Sequence, residues 1–279
     1  MLEISAGYSA LRLLSGLGLG ALFSGIAWYL RALTASGVLA ATVLGGLIFG
    51  FAGLPWAILL VVFFASSSAL SRLFENRKRS VMETFAKGGR RDLAQVAANG
   101  AVPALIVFGL ALELISIPAA WMAFAAALAT VNADTWATEL GVLSPSNPRL
   151  VNTGRKVPRG TSGGISLLGS LAALGGALLI ALLAGLFLKP PNLIIAVSAL
   201  TIIGLVGSYV DSLLGATVQA IYYCPSCKKE TERFPEHTCG TKTVHRRGWR
   251  WLTNDWVNFL SALFSAFLAV GLFIAMGMG

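Results

Sequence analysis

The sequence predicts an all-α integral-membrane bundle of about eight transmembrane helices, and three observations carry that prediction. Hydrophobic residues make up 56% of the 279-residue chain and charged residues only 12%, about half the charge of a water-soluble domain. Apolar runs of about 20 residues recur along a chain rich in glycine (31 residues), as polytopic helical proteins require. All 21 Lys and Arg except Arg12 and Lys189 also fall on one side of the spans that those runs define. Composition thereby excludes an ordinary soluble enzyme, a disulfide-rich secreted module and a disordered chain.

Gly, Pro and charge breaks place the spans near 8–30, 36–53, 56–74, 93–112, 118–140, 165–188, 193–222 and 254–276. The first lacks the charged start and cleavage site of a signal peptide and is read as retained. The second is short and Gly-rich, so a re-entrant or tilted segment is an alternative to a full crossing. Residues 1–279 are read as one membrane domain, with 223–250 forming a cytoplasmic loop. By the positive-inside rule the basic side is cytoplasmic, which places a multi-pass protein in the cell membrane with both termini outside. The net charge of +9 is then a topology signal, and a nucleic-acid partner is not expected.

An ionisable residue within a span costs roughly 2.5–3.5 kcal/mol on insertion scales, so four carboxylates near the cytoplasmic ends need a reason: Asp134, Glu139, Asp211 and Asp255. Each has polar company. Asn132 precedes Asp134. Ser208, Ser212, Gly215 and Gln219 share one helical stripe beside Asp211. Asn254, Asn258, Ser261 and Ser265 line the last span, and Arg91, Gln95 and Asn99 line the fourth. Ser and Gly in such stripes serve helix packing in most bundles, whereas carboxylates at one depth mark function.

Between the fifth and sixth spans lies a basic, then Gly-rich loop: Arg155, Lys156 and Arg159, followed by Gly160, Thr161, Ser162, Gly163 and Gly164. It opens directly into a helix. Freed backbone N–H groups beside cations suit phosphate, although the loop lacks the GxxxxGK[ST] pattern and also reads as a flexible connector. Beside the carboxylates it suggests a metal–phosphate site, with oxygen ligands for Mg²⁺.

The three cysteines form Cys224-x2-Cys227-x9-His237-x-Cys239. On a cytoplasmic loop disulfides are disfavoured, and a complete Cys₃His set suggests structural zinc. The short His-x-Cys half is unusual for such sites, free thiols are the alternative, and His245 is a spare candidate ligand.

Several stretches, in order along the chain, resemble an integral-membrane family. They are 68–72 (SALSR), 91–100 (RDLAQVAANG), 132–141 (NADTWATELG), 160–166 (GTSGGIS), 207–219, 237–240 (HTCG) and 254–258 (NDWVN). That family includes transmembrane protein 19 and the plant phytyl-phosphate kinase of vitamin E synthesis. The resemblance implies phosphorylation of an isoprenoid monophosphate to its diphosphate, using a nucleoside triphosphate such as CTP. Asp134 and Asp211, with Glu139 or Asp255, are then expected to hold Mg²⁺. Arg155, Lys156, Arg159 and the 160–164 backbone are expected to grip the triphosphate, and Asn99, Asn132, Asn254 and Asn258 to orient phosphate oxygens. The competing readings are a flippase or transporter of a phosphorylated lipid, and a cytidylyltransferase forming a CDP-lipid. Chain length of the lipid and oligomeric state are not specified by the sequence.

Overall fold

The computed structural model describes residues 10–73, 89–190 and 192–275. The basic run between 74 and 88, which contributes to the charge asymmetry, lies outside them. Eight helices are described: α1 (Ala10–Tyr29), α2 (Ala35–Ala52), α3 (Leu54–Leu73), α4 (Leu93–Ala111), α5 (Ile117–Gly141), α6 (Leu167–Leu188), α7 (Leu193–Thr217) and α8 (Asn254–Ala275). Five short strands accompany them: β1 (Arg149–Leu150), β2 (Gly164–Ile165), β3 (Ile221–Cys224), β4 (Lys229–Thr231) and β5 (Val244–Arg247).

The helices are arranged around α5. Helices α6, α7, α8, α4, α2 and α3 form a closed ring, each packing on the next and α3 returning to α6, while α1 packs outside on α2. Every residue of α5 from Ala119 to Ala133 is buried. Its many alanines let neighbours approach closely. A Cβ on Gly204 of α7 would lie 2.8 Å from the Ala129 Cβ, and one on Gly176 of α6 would lie 3.0 Å from the Asn132 carbonyl oxygen. Near the start of α5 the interior is filled by aromatic rings. Trp56 meets both Trp121 and Phe124 edge-on at 4.9 Å, and the Trp121 indole donates to the Ala184 carbonyl at 3.1 Å.

This arrangement explains the hydropathy of the fifth span. Seven of the eight described helices are long and apolar enough to cross a membrane, and α5 is the exception. Its surroundings are protein, so it can carry Asn132, Asp134 and Glu139 where a lipid-facing helix could not. The second span is a continuous helix of 18 residues, about 27 Å long, and it meets the criteria for crossing. Only Gly53, in a left-handed conformation at φ 91°, separates α2 from α3.

One boundary and one loop differ from expectation. Hydropathy predicts a seventh span running to residue 222, but α7 ends at Thr217 and Ile221 begins β3. The apolar Ile221-Tyr222-Tyr223 run continues the hydropathy signal, yet the backbone is drawn off the helix. Trp249 N donates to Val218 O and Ala220 N to Leu252 O, both at 2.8 Å. The 223–250 loop is correspondingly a folded module, an antiparallel sheet in the order β4-β3-β5, with Tyr222 paired to Thr231 on one side and His245 on the other.

Candidate functional site

A cavity of about 950 Å³ opens at the end of the bundle where α3, α5 and α7 finish and α4, α6 and α8 start. It wraps around the last turns of α5, and its polar lining falls into two groups. Asp134 and Glu139 are five residues apart on α5, about 140° around the helix, and face different neighbours.

On one side, Asp134, Asp211 and Glu232 line the cavity. Asp211 Oδ2 accepts from Ser261 Oγ at 3.2 Å, and that hydroxyl also reaches the Asn258 carbonyl at 3.0 Å. Asn258 Oδ1 is buried and has no hydrogen-bond partner among the described residues. Asn254, Asp255, Ser208 and Ser212 complete this side.

On the other side, Glu139 accepts a hydrogen bond from Ser71 and faces the charge of Arg91. The Arg91 guanidinium lies over the rings of Phe63 and Phe64, 5.5 and 5.2 Å from their centroids. Burial lowers its pKa to about 10, opposed by the Glu139 charge, so it is a cation throughout the physiological range. Its Nη1 is buried without a hydrogen-bond partner among the described residues. The Arg91 backbone is fixed by the α1–α2 turn, donating to Ala32 O at 2.9 Å and accepting from Thr34 N at 3.0 Å. Asn99 and Gln95 also line this side, but Gln95 is committed to a capping box, its backbone N–H donating to Asp92 Oδ1 at 2.9 Å.

The Gly-rich loop contributes Arg159 and residues 160–164 to the wall. Its glycines answer first to packing. Gly163 has φ +80°, and a Cβ there would lie 2.5 Å from Ala216 at the end of α7. Part of the expected phosphate cradle is occupied internally, since Thr161 N donates to Pro158 O and Gly164 N to Thr161 O. The Ser166 side chain caps α6 by accepting from Gly169 N at 3.1 Å.

Four of the sequence candidates do not line the cavity. Arg155 and Lys156 are exposed on the outer turn of the loop. Asn132 is fully buried and ties three helices together: its Oδ1 accepts from Ser66 and Ser67 at 3.1 Å, and its Nδ2 donates to Gly176 O at 2.8 Å. Gln219 is likewise buried between Ser162 and Glu232, at 2.9 and 2.8 Å. These two amides brace the site from behind. Conversely, sequence reasoning missed Tyr209, whose hydroxyl donates to Ser170 at 2.9 Å, and the residues that the 223–250 module brings in, Glu232, Arg233, Glu236 and Thr243, while His245, named only as a spare zinc ligand, also lines the cavity. The spacing along a loop carries no signal for which residues a sheet will turn inward.

In the same module, one ligand atom from each of Cys224, Cys227, His237 and Cys239 lies within 4.8 Å of the others. The Cys224–Cys239 sulfurs are 3.6 Å apart, and His237 Nδ1 is 3.5 Å from Cys227 and 3.4 Å from Cys239. Zn–S bonds of about 2.3 Å and Zn–N bonds of about 2.0–2.1 Å imply tetrahedral edges of about 3.5–3.8 Å, so the set fits zinc. The Cys239 pKa falls to about 6, through its hydrogen bonds with Thr241 and then His237. Hydrogen bonding with Cys239 is the main cause that raises Cys227 to about 11. His245 is outside the set, 3.0 Å from the Gly248 carbonyl through Nε2. Among the described residues no other group brings three candidate ligands so close. That is compatible with Mg²⁺ at the carboxylates, because Mg²⁺ keeps several waters and substrate phosphates around one or two protein oxygens.

Comparison with known proteins adds kinship to this geometry. Residues 18–266 match the family described as integral membrane protein DUF92. Protein PGR of Arabidopsis thaliana is 34% identical over 239 residues, covering 78% of this chain and 81% of that protein. An uncharacterized membrane protein of Methanocaldococcus jannaschii is 33% identical over 187 residues, 67% of this chain and 74% of its own. Protein VTE6, chloroplastic, also of Arabidopsis thaliana, is 26% identical over 247 residues, 85% of this chain and 64% of that protein. No solved structure matches. The chain belongs to the DUF92 family of integral membrane proteins, and the resemblance drawn from its motifs is borne out.

Proposed function

We propose that this protein transfers a phosphoryl group from a nucleoside triphosphate, CTP being the favoured donor, to an isoprenoid monophosphate of the phytyl, geranylgeranyl or farnesyl type. The observation that carries the reading is a single cavity at one end of a membrane bundle in which carboxylates and cations face each other. Asp134, Asp211 and Asp255 stand with Arg91, Arg159 and Arg250 around a space of about 950 Å³. The resemblance of its motifs to the family that includes the plant phytyl-phosphate kinase supports the same substrate class, and membership of the DUF92 family supports a membrane setting.

In the transfer, a phosphate oxygen of the prenyl monophosphate bonds to the γ-phosphorus. The bond from γ-phosphorus to the β–γ bridging oxygen breaks, and the nucleoside diphosphate leaves with that electron pair. The acceptor is already anionic, so no strong base is required, and the demand is charge neutralisation and alignment of two polyanions. Mg²⁺, when bound, supplies much of that neutralisation. Asp134 and Asp211 are the residues to hold it, and Asn258, which lines the same cavity and whose buried Oδ1 has no hydrogen-bond partner among the described residues, offers an oxygen to the cation or one of its waters. Arg91 offers a phosphate oxygen its buried Nη1, which has no hydrogen-bond partner among the described residues, Arg159 and the 160–164 loop act from elsewhere on the cavity wall, and Asn99 and Asn254 orient. The prenyl tail lies among the helices with its phosphate at the cytoplasmic face. Zinc in the Cys₃His set is structural.

The test is a product assay on purified protein with Mg²⁺ and geranylgeranyl or phytyl monophosphate, with CTP labelled at the γ-phosphate in one arm and the α-phosphate in another. Label from the γ position in a lipid diphosphate is the expected result. Label from the α position identifies a cytidylyltransferase. Neither label in lipid, from folded protein, contradicts both, and liposome transport of the same lipid then tests a carrier.

A further inference from the structure

Three tryptophans cluster where the 223–250 module meets the last helix, and phosphoryl transfer calls on none of them. Trp249 and Trp251 flank Arg250 in the turn from β5 to α8, and Trp256 lies in the first turn of α8. Their rings form a ladder. Trp249 stacks on Trp251 at 5.8 Å, Trp251 meets Trp256 edge-on at 6.2 Å, and Trp256 meets Phe259 edge-on at 5.8 Å. All three tryptophans stay exposed, at 56, 58 and 49%. An uncovered apolar patch of this kind marks a site of protein or membrane contact.

The turn fixes these rings at the surface. Leu252 is buried, and its N–H donates to Trp249 O at 2.9 Å. Trp249 N donates to Val218 O, and Leu252 O accepts from Ala220 N, both at 2.8 Å. The backbone is thereby fastened to the segment after α7. Helix α8 shows what the patch faces. Phe267 and Ile274 follow Trp256 by 11 and 18 residues, about three and five whole turns at 3.6 residues per turn. The three therefore share one stripe, on which Phe267 and Ile274 are 69 and 65% exposed. Because α8 is long and apolar enough to cross a membrane, that stripe is its lipid-facing side. Trp256 begins the stripe, and Trp251 and Trp249 continue the ladder beyond the helix start. Indoles combine an apolar body with one N–H donor and concentrate in the headgroup layer between hydrocarbon and water. Arg250 adds a cation suited to lipid phosphates, and it also lines the cavity.

We propose that Trp249, Trp251 and Trp256 seat in the phospholipid headgroup layer and fasten the 223–250 module to the bilayer surface. Arg250 then joins the cavity wall to the lipid phosphates, and a phosphorylated lipid reaches that wall without leaving the bilayer. The inference stands apart from the reaction that the cavity carries out. To test it, the whole chain, with fluorotryptophan in place of tryptophan, is placed in phospholipid nanodiscs and followed by fluorine magnetic resonance. Trp249→Phe, Trp251→Phe and Trp256→Phe assign the three signals, and the tyrosine variant serves at any position where phenylalanine does not fold. A phosphatidylcholine with a nitroxide on its headgroup is added to the bilayer of one sample, and a gadolinium chelate to the water of another. The three signals are expected to lose most of their intensity with the nitroxide lipid and several-fold less with the chelate. Those of Trp56 and Trp121, both fully buried, are expected to persist in both samples. Loss of the Trp249 and Trp251 signals to the chelate, with persistence beside the nitroxide lipid, overturns the inference even if Trp256 is reached by the lipid. Persistence of the three signals in both samples also overturns it and shows a second copy of the chain covering this face.

Discussion

At the scale of single residues, the polar groups inside the bundle divide into those that touch the cavity and those that hold its walls. Asp211 belongs to the first set. Asp211→Asn keeps an acceptor for Ser261 but removes the charge, so it is expected to lower turnover by about 10²–10³-fold or more with little change in thermal unfolding. An active, folded variant would remove Asp211 from the reaction. Asn132 belongs to the second set. Asn132→Ala strands Ser66, Ser67 and the Gly176 carbonyl, which otherwise bond to it, and is expected to destabilise by roughly 1–3 kcal/mol. Detergent unfolding measures that loss, and the protein that remains folded is expected to retain its activity. The sequence marked both residues through the same signal, an unusual polar group within a span. It had no means of separating them, because the distinction lies in whether the side chain faces a neighbouring helix or the space at the end of α5.

At the scale of elements, helices were legible and their packing order was not. Apolar runs and Gly/Pro breaks located all eight helices, and the ambiguous second span proved to be a full 18-residue helix. The centrality of α5 was hinted at by its low hydropathy and its three polar residues, but only the ring of six helices around it explains them. The 223–250 module was the least legible part. Its four ligands were named from spacing, yet its sheet, its grip on α7 through Arg247 and its contribution to the cavity wall depend on pairings between strands that no short motif encodes. Zinc content tests the module directly. Purified protein is expected to carry about one zinc per chain, and Cys224→Ser, which alters a fully buried ligand, is expected to lose it. A zinc-free wild type would leave the cluster as free thiols. In the Gly-rich loop, Gly163→Ala adds a Cβ against Ala216 at a φ of +80°, which costs about 1–2 kcal/mol in conformation alone. It is expected to displace the loop and raise KM for the nucleotide more than it lowers kcat.

At the scale of the whole molecule, charge and depth are organised along one axis. Aromatic rings fill the bundle near Trp56 and Trp121, and titratable groups gather at the opposite end, where Arg91, Glu139 and Asp255 line the cavity. A site confined to one end suits a reaction between a membrane lipid and a water-soluble donor, whereas a carrier needs polar groups through the full thickness. By the positive-inside rule that end is proposed to face the cytoplasm. A single cysteine replacing Lys189, in a background where Cys224, Cys227 and Cys239 are masked or removed, is expected to react with an impermeant thiol reagent from outside intact cells. One replacing Arg155 is expected to react only in inverted vesicles, and the opposite pattern would reverse the orientation. The central claim is that one cavity around the end of α5 receives both phosphates and the cation that neutralises them. An electron cryomicroscopy structure with geranylgeranyl monophosphate, a non-hydrolysable CTP analogue and Mg²⁺ tests it most directly. The account predicts the triphosphate between Arg91, Arg159 and the 160–164 loop, with metal density at Asp134 and Asp211 and the prenyl phosphate in line with the γ-phosphate. Ligand density elsewhere in the bundle, or a lipid spanning its full depth with no nucleotide bound, would contradict it.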